Sequence, residues 1–157
     1  KVSDNNILFD YDKSKVEYWN KRVHVKKGVK EKRRTDPLTP GILDIFSSAF
    51  YLRVLPLKVG EKYRSVIYNE GKSIIVETTV LRKEKLKTDL GTFNALMVRP
   101  VARFEGILQT SGDTTIWVSD DPRHFILKLE TKIKIGYLVG KIKTIEDKEY
   151  RLPKKEL

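Results

Sequence analysis

From Leu127 to Ile135 apolar and charged residues alternate without a slip. Leu127, Leu129, Thr131, Ile133 and Ile135 fall on one face, and Lys128, Glu130, Lys132 and Lys134 on the other. A strand sends successive side chains to opposite faces, so this period of two predicts a half-buried strand. In Thr114–Ser119, Thr115, Trp117 and Ser119 oppose Thr114, Ile116 and Val118 in the same way. Asp120-Asp121-Pro122-Arg123 then ends the strand, because proline cannot donate to a ladder and aspartate favours turns. Gly112-Asp113 predicts a hairpin turn after Ile107–Thr110. Gly136 and Gly140 predict a bend or bulge in the last strand pair. With Phe93–Val101, the stretch from Gly91 to Lys143 carries four alternating patterns and predicts an antiparallel sheet.

The preceding chain adds strands and one helix. Lys1–Asn6 is polar and predicts a frayed end. Ile7–Tyr11 and Lys15–Asn20 alternate around Asp12-Lys13-Ser14 and predict a hairpin. Lys21–Thr35 reads as a charged arm that extends the second strand through Val25 and becomes a loop at Gly28. Asp36–Arg53 predicts the helix, with Thr39 as cap and Pro40 at the first turn. Its stripe of Ile42, Ile45, Phe46, Ala49 and Phe50 is expected to pack on the sheet, with Asp44 and Ser48 outside. Tyr63–Tyr68 and Ser73–Leu81 predict another hairpin, and Lys83–Leu90 a charged connector. The expected fold is mainly β: an antiparallel curved sheet or β-barrel, lipocalin-like or a half-barrel, with one helix packed on it. Residues 1–157 are expected to form one domain, with 146–157 as a polar tail.

Charge changes the picture locally. The chain carries a net +11. Lys21–Arg34 holds eight basic residues and one glutamate, a net of +7 in fourteen residues, which leaves +4 for the rest. Within it Lys26, Lys27, Lys30, Lys32, Arg33 and Arg34 are the candidate anion-binding residues, attractive to phosphates of nucleic acid or anionic lipid. A solvated loop is the plainer reading. Base stacking has little to work with, since only Trp19 stands nearby. There is no apolar run long enough to span a bilayer. The absence of cysteine excludes disulfides and thiolate metal sites, and no metal site or cofactor is expected. The chain opens on Lys1 with no visible signal peptide, which fits a processed or trimmed chain.

Several blocks resemble the bacterial domain of unknown function 3108 family. They are D-P-L ahead of a helix with F-Y-L-R, then L-P-L-K-V-G-E-K-Y, E-K-L-K-T-D-L-G-T-F-N-A-L, F-E-G-I, T-I-W-V-S-D-D and K-I-K-I-G. Together they cover roughly Ile7 to Ile145. The resemblance implies a β-rich, barrel-like protein that is periplasmic or secreted, and it brings no catalytic residues. Members usually carry further strands before the position of Ile7. The barrel is therefore expected to be shorter here, or completed by strands that this chain lacks or another chain supplies.

Two further groups of residues bear on chemistry. Asp120, Asp121 and His124 offer acid–base groups, but no nucleophile stands at a readable spacing, and ordinary turn chemistry accounts for them. Trp117, Phe104, Phe93, Met97 and Tyr137 either fill the core or line a cavity for an apolar ligand, and both readings stay open. The expected function is a non-enzymatic cell-envelope protein that holds or contacts a lipid, a glycan or an envelope protein. A basic nucleic-acid-binding module is the alternative, and an envelope hydrolase the second.

Overall fold

The computed structural model describes residues 2–69, 71–104, 107–108, 114–133, 135–146, 149 and 153. For 103–104 and 107–108 the description is of the backbone alone. The strands form two antiparallel sheets. The first has the order β1-β2-β3, from Val2–Asp10, Lys15–His24 and Gly28–Pro37. The second contains β4 (Lys62–Asn69), β5 (Lys72–Thr88), β6 (Gly91–Phe104), β7 (Ile107–Leu108), β8 (Thr114–Ser119), β9 (Ile126–Ile133) and β10 (Gly136–Lys141). Its strands run β10-β9-β8-β6-β5-β4, with β7 paired to β6. Its outer strands β10 and β4 do not pair with each other, so of the expected curved sheet or β-barrel the closed barrel gives way to open antiparallel sheets.

The alternation of β8 is buried on both faces, because this strand lies between β6 and β9 with a core on each side. Ile116 and Val118 join Val80, Leu96, Val98, Leu52 and Leu57 in one cluster. Trp117 joins Phe93, Ala95, Met97 and Leu127 in the other, where Ile142 and Ile145 also pack. A third cluster ties the sheets together. Val16 and Tyr18 of β2 meet Ile42 and Tyr68, with Ile7, Phe9, Leu38 and Val66 around them.

Four sequence expectations change. Val2–Asn6 is not a frayed end; it pairs with Trp19–Val23 along β2. Lys83–Thr88 is not a connector, because β5 continues to Thr88 after an irregularity between Val80 and Arg82. The charged arm is a strand: Gly28–Pro37 pairs in register with all of β2. Gly28 makes this possible, since its φ of +72° turns the chain back after His24 accepts the Lys27 amide. The Gly112-Asp113 turn falls outside the described residues.

The helix is the fourth correction. Only Ile45–Tyr51 is helical (α1), followed by a 3-10 turn at Leu52–Val54. Asp36 and Pro37 belong to β3. Leu43 stays extended because it bridges β4: its amide donates to Val66 O at 2.9 Å, and its carbonyl accepts from the Tyr68 amide at 2.8 Å. The cap is therefore Asp44, not Thr39. The Asp44 carboxylate accepts the amides of Phe46 at 2.7 Å and Ser47 at 3.0 Å, and the Ser47 hydroxyl as well. Burial pushes this carboxyl's pKa up, but the Ser47 hydroxyl and the two amides outweigh it, and the net shift is downward. The late start also reassigns the apolar stripe. Ala49 and Leu52 meet the core, Ile42 packs between the sheets, and Ile45, Phe46 and Phe50 are exposed. Asp44→Ala is expected to cost about 1 kcal/mol in urea unfolding, the usual worth of such a cap.

Candidate functional site

The basic residues gather on the β2–β3 hairpin. Lys26 and Lys27 occupy its tip, and Lys30, Lys32, Arg33 and Arg34 follow along β3, which is exposed from Gly28 to Thr35. Pairing with β2 sorts these side chains by face. Lys30 lies opposite Arg22, Lys32 opposite Asn20, and Arg34 opposite Tyr18. On β1, Ser3, Asn5 and Ile7 stand opposite the same three β2 residues. One face of the sheet thus runs from a cationic end (Arg22, Lys30, Lys32) through amide and hydroxyl groups to the apolar seat of Tyr18. Glu31, Arg33 and Thr35 point to the other face.

The electrostatics of the two ends differ. At the anchored end Arg34 Nε donates to Asp36 at 2.7 Å, and the buried Tyr68 hydroxyl donates to the other Asp36 oxygen. Burial and the carboxylate together raise the pKa of the Tyr68 phenol. For Asp36 burial acts upward, but Tyr68 and Arg34 outweigh it and the pKa is lowered. This contact spans the two sheets. Its contribution to stability is present above the ordinary carboxylate pKa of about 3.9 and is lost as pH falls through the lowered value. The wild type is therefore expected to lose more stability between pH 7 and pH 3 than Asp36→Asn, measured by urea unfolding.

At the free end cations stand close together with few partners. Glu31 lies 4.0 Å from Lys21 and 3.9 Å from Arg33. Lys32 sits 5.9 Å from the Tyr18 ring centre. Among the described residues Arg22, Lys26, Lys27 and Lys30 have no carboxylate at ion-pair distance. Like charges opposed across a ladder, such as Arg22 and Lys30, destabilise it. An anion bound between them would remove that cost. Beside them, the buried Asn20 amide donates to Ser3 Oγ at 3.1 Å, to the Asp4 carbonyl at 3.2 Å and to Asn5 Oδ1. The polar floor is thereby held rigid.

The five residues weighed as core or cavity lining separate. Phe93, Met97 and Trp117 are buried together, with Met97 directly opposite Trp117 in the ladder. The Trp117 indole donates to Glu84 at 2.6 Å, and Lys128 Nζ lies 4.5 Å from its ring centre. Tyr137 is apart from them, 61% exposed on β10. Phe104 contributes its backbone to β6, and its side chain lies outside the described residues.

Asp120, Asp121 and His124 form a turn. Asp120 accepts from Lys83 Nζ at 2.8 Å, and Asp121 caps the Arg123 amide at 2.8 Å. His124 takes a φ of +42°. Sequence reasoning passed over Glu84, whose partner Trp117 lies 33 residues away, and Tyr68, whose partner Asp36 lies in another sheet. No local spacing signals either pair. Among the described residues no helix is long and apolar enough to cross a membrane.

No curated protein and no solved structure matches this chain. A family model described as "Protein of unknown function (DUF3108)" matches residues 3–143. That span takes in both sheets, the helix and the whole basic hairpin, and the chain belongs to the DUF3108 family.

Proposed function

We propose that this protein is a non-enzymatic binding protein of the cell envelope, and that its β2–β3 hairpin contacts anionic envelope molecules. The periplasmic or secreted setting rests on the family resemblance. The observation that carries the binding is the concentration of a net +7 in Lys21–Arg34 on a strand pair where Arg22, Lys26, Lys27 and Lys30 have no carboxylate at ion-pair distance among the described residues. Several weak phosphate contacts add up on such a surface, each on the order of 1 kcal/mol near an anionic membrane. The open sheets favour contact with a headgroup, glycan phosphate or acidic protein surface over enclosure of a whole ligand.

A two-stranded basic ribbon also fits the major groove of DNA, so nucleic acid is the competing reading. Co-sedimentation with phosphatidylglycerol-containing and pure phosphatidylcholine vesicles, run beside a gel shift with random duplex DNA, tests the proposal. Binding to the anionic vesicles alone, weakening as salt rises, is expected. Failure to bind anionic vesicles, or tighter binding to DNA at physiological salt, overturns it.

A further inference from the structure

Helix α1 and the 3-10 turn after it leave most of their large apolar side chains exposed. Ala49 packs on the core and Leu52 is buried, whereas Phe46 is 76%, Phe50 59% and Val54 74% exposed. Ile45 and Tyr51 are exposed too. Five large apolar side chains from one ten-residue segment therefore stand out from the surface. Of these, Phe50 and Val54 line one depression, and exposed apolar side chains that gather in this way mark an interaction site.

Beside them is an open depression of about 440 Å³ lined by Phe50, Arg53, Val54, Pro122 and Arg123. Arg53 Nε donates to the Arg123 carbonyl at 3.1 Å, and its guanidinium carbon lies 5.1 Å from the Phe125 ring centre. Among the described residues no carboxylate stands at ion-pair distance from Arg53. Arg123 pairs with the exposed Glu149 at 3.4 Å. A guanidinium with no carboxylate partner among the described residues thus sits beside the exposed Phe50 ring.

We infer that α1 and the 3-10 turn after it form an insertion tip for an anionic lipid bilayer: Phe46, Phe50 and Val54 enter the acyl boundary, and Arg53 meets a lipid phosphate. The chemistry asks for an anionic head beside an apolar body, repeated over a surface, which such a bilayer supplies. Apolar and aromatic side chains with flanking cations are the composition that lies in this interface. The chain's net +11 adds attraction to the same surface. Insertion uses a surface separate from the β2–β3 hairpin, so either can fail without the other.

The test uses the full chain with phosphatidylglycerol vesicles. Phe46→Ser combined with Phe50→Ser is expected to weaken partitioning at least about tenfold, the worth of losing two phenyl contacts. Its melting temperature should hold, because both rings are exposed. A Phe50→Trp variant reports depth. With lipids brominated near the headgroup end of the chains, its emission is expected to be quenched beyond the wild-type signal from Trp19 and Trp117. Wild-type partitioning by the serine variant, or no added quenching at the new tryptophan, overturns the proposal. Loss of binding on removing the hairpin charges, with none on removing the phenyl rings, overturns it too and leaves the hairpin reading standing. Failure of the wild type to partition at all overturns both.

Discussion

Trp117→Ala is expected to destabilise the protein by about 3–5 kcal/mol, the range for truncating a large aromatic in a packed core. The ring is 7% exposed, in the cluster of Phe93, Met97 and Leu127. Its strand is internal to the sheet, so little backbone is free to collapse into the space. A second loss follows from Glu84. This carboxylate accepts the indole N–H, which holds its pKa below the usual range against the upward pull of burial, with help from Arg82. Trp117→Phe keeps most of the packing but not this hydrogen bond, and should cost less than the alanine variant by more than about 1 kcal/mol. Urea unfolding of the two variants checks both numbers. A loss below about 1 kcal/mol for Trp117→Ala would mean that the ring faces open space.

Changing Lys26, Lys27, Lys30, Lys32, Arg33 and Arg34 together to serine is expected to weaken binding to anionic vesicles at least about a hundredfold at low salt. The figure takes each cation as worth up to about 1 kcal/mol near the surface and discounts the sum for screening. Five of these residues should cost little stability, because they are exposed and removing Lys30 relieves its repulsion with Arg22, whereas Arg34 also gives up its hydrogen bond to Asp36. The effect should shrink as salt rises, which a packing defect would not do. Vesicle sedimentation at two ionic strengths, with circular dichroism of each variant, separates the two causes.

The β strands were legible where both pattern and surroundings were simple. Ile126–Ile133 was legible as a strand, but an irregularity opposite Trp117 and Val118 sends Leu127 and Leu129 to different cores instead of one face; Thr114–Ser119 alternates because its two faces meet two cores. The pattern failed where charge concealed a strand. Gly28–Pro37 has no apolar period, since β3 is an exposed edge and its order comes from pairing with β2. Edge strands rich in lysine and arginine resist unwanted pairing, so the charge that looked like a loop belongs to the strand. The helix was misplaced because its apolar spacing was counted through Ile42, two residues before the Asp44 cap. The partners of Leu43 in β4, which hold it extended, lie more than twenty residues downstream. The basic cluster itself was plain in the sequence. Its division between two faces, and the seat of Tyr68 and Asp36 that anchors it, depend on register and on contact between sheets, which no local window contains.

The central claim is that the β2–β3 hairpin is the surface that meets anionic molecules. Backbone amide hydrogen exchange, with and without saturating phosphatidylglycerol vesicles, measures this directly. Slower exchange is expected across Gly28–Arg34, absent with neutral vesicles and reversed by high salt. Unchanged exchange across that segment, while the protein is vesicle-bound, would contradict the account.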